Sequence, residues 1–94
     1  MAPPATATVQ IDDARVRVTL WRFAPGESTG PHRHELDYVV VPLTTGRLLI
    51  RDAEGERLVD LEAGGSYTRG AGVEHDVINP GPGRFDFVEI ELKR

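Results

Sequence analysis

Between Val16 and Phe23 the chain reads VRVTLWRF, with Val16, Val18 and Leu20 on one parity and Arg17, Thr19, Trp21 and Phe23 on the other. A period of two is the signature of a β-strand, whose successive side chains point to opposite faces. Both parities carry apolar weight, which predicts one face turned inward and the other toward a second sheet or a partner. The stretch APGESTG then breaks the pattern with Pro25, Gly26 and Gly30. Further β-rich runs follow as DYVVVPL, GRLLIRD, ERLVDLE, EHDVIN and RFDFVEIEL, separated by TTG, DAEGE, AGG, RGAG and NPGPG. These connections supply the glycine, proline and asparagine that tight turns need. In the last run, Val88, Ile90 and Leu92 read as the buried parity, and Glu89 and Glu91, with Phe85 and Phe87, as a solvated or dimer-facing one. No window of helical length shows a sustained apolar stripe at a 3.6-residue period. The pattern therefore predicts an all-β sandwich or barrel, in which closure removes exposed sheet edges.

Ninety-four residues, 39% hydrophobic and 28% charged, fit one core and no second domain. Residues 1–8, rich in Pro, Ala and Thr, are expected to form a flexible tail, and residues 9–94 the domain. With no cysteine, disulfides and thiolate ligands are excluded, so a metal would have to be held by nitrogen and oxygen. A net charge of −4, with no run among the 11 basic residues, argues against nucleic acid as a partner. There is no apolar segment of membrane-spanning length and no signal-peptide pattern at the start, which points to a soluble cytoplasmic protein.

The chemistry-bearing segment is PHRHELDYVVVPLTTG. In a strand, His32 and His34 would project from one face with Cα atoms about 6.6 Å apart, close enough for two imidazoles to converge on one ion. Two hydrogen-bonded histidines at a strand edge would look the same. The third histidine, His75, lies in GGSYTRGAGVEHDVIN. Together these segments resemble the two motifs of the cupin superfamily, G-x5-H-x-H-x3 or 4-E-x6-G and G-x5-P-x-G-x2-H-x3-N. Gly26, His32, His34 and Gly46 match the first; Gly64, Gly72, His75 and Asn79 match the second, with Gly70 in place of proline. WRFAPGESTGPHRH, DYVVVPLTTG and the segment from VEHDVIN to FVEIELK are similar to a subgroup of small single-domain cupins that includes the β-alanine-degradation cupin. The resemblance implies a double-stranded β-helix (jelly-roll) barrel, commonly a homodimer, with a metal on His32, His34 and His75.

The glutamate of the first motif is missing: Tyr38 and Val39 stand where it should be. Asp37 is the candidate fourth ligand if a bulge turns it inward, and Tyr38 is its rival through its hydroxyl. Three neutral imidazoles leave a divalent ion's charge unquenched and favour an anionic oxygen ligand. Such a donor set suits zinc, iron, copper or nickel, with manganese if Asp37 joins. Arg69, six residues before His75, could meet a substrate carboxylate by paired hydrogen bonds. The aromatic residues read mainly as core or dimer contact, and Asn79 as a turn-shaping residue. The expectation is a metal-dependent enzyme for a small carboxylate or carbonyl compound, of the dioxygenase or isomerase/lyase type. The alternative is a non-catalytic module that binds or senses a small ligand.

Overall fold

In the computed structural model, which describes residues 2–93, the alternating runs form nine strands. They are β1 (Thr6–Asp12), β2 (Val16–Phe23), β3 (His32–Arg33), β4 (Tyr38–Pro42), β5 (Gly46–Asp52), β6 (Gly55–Leu61), β7 (Tyr67–Arg69), β8 (Glu74–Ile78) and β9 (Phe85–Leu92). One sheet has the order β1-β2-β9-β4-β7 and the other β3-β8-β5-β6. All pairings within the two sheets are antiparallel. The described residues contain no helix, and so none long and apolar enough to cross a membrane.

The core lies between the sheets. Phe23, Phe85, Phe87, Tyr38 and Val40 from the larger sheet meet Leu48, Ile50 and Val77 from the smaller one. Phe23 and Phe87 pack with ring centroids 5.4 Å apart, within the range of tilted aromatic pairs. Gly46 belongs to this core: a Cβ there would stand 3.2 Å from the Phe85 ring, so the motif glycine lets β5 approach β9.

Register fixes which parity faces inward, because directly paired residues of antiparallel strands share a face. Thr19, Glu89, Val40 and Tyr67 form one inner row, and Arg17, Glu91, Tyr38 and Arg69 the next. The expectation for β9 is therefore corrected. Phe85, Phe87 and Glu89 are buried, while Val88 and Ile90 are half-buried on the outer face and Leu92 is exposed. Both parities are apolar enough to be buried; the bulky rings fill the space between the sheets, and Glu89 follows them inward by alternation.

The expected tail also differs. Ser28 N–H donates to Pro3 O at 2.9 Å, Ala5 N–H to Ser28 O at 2.7 Å, and β1 pairs with β2 from Thr6 onward. The sequence reading passed over this strand because it judged the start by its Pro, Ala and Thr content, although Ala7, Val9 and Ile11 alternate with Thr8, Gln10 and Asp12; all seven residues of β1 are exposed.

Candidate metal centre

His32 and His75 are direct partners in the β3–β8 ladder. The pairing runs on past β3, with His34 N–H donating to Val73 O at 2.8 Å and Gly72 N–H to His34 O at 2.7 Å. Three imidazoles thus reach one point from two adjacent chain segments: His34 Nε2 lies 2.9 Å from His32 Nε2 and 3.2 Å from His75 Nε2. Gly30 adopts φ +79°, a left-handed turn that suits glycine. Its carbonyl stands 2.9 Å from His32 Nδ1. A carbonyl only accepts, so Nδ1 carries the proton and Nε2 of the neutral ring presents a bare lone pair.

These residues fit a divalent ion. One proton on His34 Nε2 could serve one of its two close contacts, whereas an ion satisfies all three nitrogens together. Ligands about 2.1 Å from a tetrahedral ion are about 3.4 Å apart, close to the spacing seen. Burial and the neighbouring imidazole of His32 lower the His34 pKa to about 4, and the same causes lower that of His75 to about 4. Both rings stay in the neutral, ligating form at neutral pH. Among the described residues, the histidines are the cluster whose ligand atoms all lie within 4.8 Å of one another.

The site opens on a cavity of about 230 Å³, lined by His32, His75, Trp21, Tyr38, Tyr67 and Arg69 among others. Tyr38 stacks on His34 with ring centroids 3.8 Å apart and an interplanar angle of 19°. Its buried hydroxyl has no hydrogen-bond partner among the described residues. Burial raises its pKa to about 12, so it remains a protonated phenol. Asp37 is not in the cluster. Its Oδ1 accepts the Ala71 N–H at 2.8 Å, tying the β7–β8 loop to the start of β4. This corrects the expectation of Asp37 as fourth ligand: no bulge turns it inward, and strand parity gives that side to Tyr38. Asn79 has the structural role expected of it, its amide donating to Phe23 O and Gly83 O.

Residues 19–91 match the cupin domain family. The chain is a cupin. It is 58% identical over 91 residues to the β-alanine degradation protein BauB of Pseudomonas aeruginosa PAO1, covering 97% of this chain and 96% of the relative. The crystal structure of a cupin domain from Bordetella pertussis Tohama I superposes with a TM-score of 0.97 at 58% identity, covering 100% of this chain and 98% of the other. The polyketide cyclase RemF of Streptomyces resistomycificus shares the fold alone, with a TM-score of 0.76 at 20% identity over 99% of this chain and 70% of its own. The double-stranded β-helix and the clustered histidines expected from the motifs are thus both present.

In this cupin the sequence reading missed Glu89. Its Oε1 lies 3.7 Å from His34 Nε2, and both Glu89 and Trp21 line the cavity. Burial, with a smaller contribution from Glu91, raises its pKa to about 7. Glu89 was legible from its parity with Phe85 and Phe87, had aromatic volume been weighted above the count of aliphatic residues.

These shifts set a pH dependence for the metal-free protein. Between about 4 and 6.5 the unfolded chain protonates His34 and His75 while the folded chain does not, so stability rises with pH. Glu89 acts oppositely between 4.5 and about 7, where the folded state keeps a proton the unfolded chain has released. Two histidines outweigh one glutamate. The thermal midpoint of chelator-treated protein should climb from pH 4.5 to 6.5 and level off near pH 7, where the opposing contributions balance. A midpoint falling across the first interval would show that the imidazoles are not held neutral.

Proposed function

We propose that this cupin is a metal-dependent enzyme acting on a small carboxylate or carbonyl metabolite, with His32, His34 and His75 holding one divalent transition metal. The carrying observation is Arg69. Among the described residues it forms no ion pair, yet it lines the cavity that His32 and His75 also line. A guanidinium left unpaired in a half-buried wall favours an anion, and carboxylate matches its fork of donors. The cavity, about 230 Å³, falls below the roughly 300–1,000 Å³ typical of sites for drug-sized ligands, which suits a compound of a few carbons. The relative named for β-alanine degradation supports the same class, since β-alanine is a three-carbon carboxylate.

In this reading Arg69 anchors the carboxylate and Tyr38, protonated at neutral pH, donates a hydrogen bond to a second substrate oxygen. Trp21, Tyr67 and Phe87 exclude water around the carbon chain. The bound metal would supply Lewis-acid polarisation of a substrate oxygen. This chemistry serves isomerase or lyase reactions, and with a redox-active ion it also admits dioxygenation.

The test is calorimetric titration of metal-loaded protein with three- to five-carbon acids and their amides, followed by turnover assays on the acids that bind. Acids should bind and amides should not. Arg69→Gln should weaken acid binding by about 10- to 100-fold, the loss of a charge-assisted pair, with metal content unchanged. Equal binding of acids and amides would sink the carboxylate assignment, and binding without turnover would favour the ligand-binding module.

A further inference from the structure

The missing glutamate of the first motif leaves the centre without the carboxylate expected from β4. Register shows why no residue of β4 replaces it. Val39 pairs with Ile90 on the outer face, and the inward Tyr38 has its ring stacked on His34. One strand over, Glu89 stands opposite Val40 on the inner face. Glu89 is thus a diagonal neighbour of Tyr38, across a distance that a glutamate side chain can span.

Resting on the three-histidine reading above, we propose that Glu89 is the fourth protein ligand of the metal, supplied by β9 in place of the absent β4 glutamate. Three observations carry this. Its Oε1 is 3.7 Å from His34 Nε2, close to the 2.9 and 3.2 Å that separate the ring nitrogens. Its carboxylate lines the same cavity as His32 and His75. It is 9% exposed, and its ion-pair partner among the described residues is His34 rather than a lysine or arginine, so its carboxyl group is buried against the ring nitrogens of the cluster. Such a group is costly to bury alone and is stabilised by a metal. Its oxygens lie outside the 4.8 Å cluster of the histidines, so ligation draws the side chain toward the ion by a rotamer change. The donor set then becomes three imidazoles and one carboxylate, reducing the charge of the centre from +2 to +1 and making manganese and iron better guests than three imidazoles alone would.

The experiment uses cobalt(II) as the probe ion on the full chain, comparing wild type with Glu89→Gln, Glu89→Asp, Asp37→Asn and His75→Ala. Affinity is measured by chelator competition and ligation by the visible ligand-field spectrum. Glu89→Gln should bind cobalt at least about 10- to 100-fold more weakly, since loss of even an outer-shell partner of a metal ligand costs that much, with a changed spectrum. Glu89→Asp should recover part of both, and Asp37→Asn should match wild type. Glutamine keeps the shape of glutamate and its carbonyl acceptor, so the metal-free variant should melt within a few degrees of wild type; if it does not fold, Glu89→Asp alone decides, by its spectral shift. Wild-type affinity and spectrum in Glu89→Gln, or in Glu89→Asp where that variant decides, would overturn the proposal while leaving the three histidines in place. If wild type itself bound no cobalt, or bound it as well as His75→Ala does, the three-histidine reading would fall and this proposal with it.

Discussion

Replacing His75 by alanine is expected to empty the metal centre. Protein purified without chelator should carry one equivalent of a transition metal as wild type and none as His75→Ala, with the dissociation constant for an added ion raised at least about a hundredfold. The thermal consequence depends on the ion. At a free metal concentration about 100 times its dissociation constant, binding stabilises wild type by about 2.7 kcal/mol, which for a chain of this size corresponds to roughly 10–20 °C in midpoint; the variant should lose all of it. In chelator the two proteins should melt within a few degrees of each other. In the metal-free state His75 contributes a half-buried ring whose Nδ1 has no partner among the described residues and whose Nε2 faces another nitrogen at 3.2 Å. The imidazole is then nearly neutral for stability without metal and decisive with it. A variant that kept its equivalent of metal would remove His75 from the centre. One that melted as far below wild type in chelator as in metal would make the residue a packing element.

Asn79→Ala should be the opposite case, a large loss indifferent to metal. The side chain is 2% exposed and makes three hydrogen bonds: it donates to Phe23 O at 3.1 Å and Gly83 O at 2.8 Å and accepts the Gly81 N–H at 2.9 Å. Truncation leaves backbone groups at the end of β2 and in the β8–β9 turn without partners. Each such group costs about 1–3 kcal/mol, so a total near 3 kcal/mol is expected, a large fraction of the 5–15 kcal/mol typical of a domain. Denaturant unfolding should show this loss equally with and without chelator. Asn79→Asp should do no better, since it keeps an acceptor for Gly81 but cannot donate to the two carbonyls. A loss below about 1 kcal/mol would mean that the turn finds other partners.

The strands from Val16 onward were largely legible because their turns are marked by glycine and proline, and because period-two alternation needs no tertiary information. His32, His34 and His75 were legible for a different reason, the fixed spacing of two motifs. What escaped was facing. In β9 the two parities FDFVEIEL offers are nearly matched in apolar content, and only the pairing with β4 and β2 decides which one meets the core. That single ambiguity hid Glu89. Asp37 was misjudged for a related reason: a carboxylate near a motif gap is an attractive ligand in one dimension, while in three it is drawn to an open backbone N–H at Ala71. The N-terminal strand was missed although Ala7, Val9 and Ile11 alternate with Thr8, Gln10 and Asp12, because the Pro, Ala and Thr content of the start was read as a tail.

The pairing of His32 with His75 joins segments separated by nearly half the chain. In an unfolded chain the local His32–His34 pair alone could meet an ion, and loop-closure entropy keeps the third imidazole away until β3 and β8 have zipped together. On the proposed three-histidine site, metal binding would therefore come after the slow, non-local part of folding. Its stabilisation falls on the native side of the barrier: refolding should run at the same speed with or without the ion, and the whole benefit should appear as slower unfolding. For the loaded protein, persistence against transient opening is then set by how long the ion resides in its site.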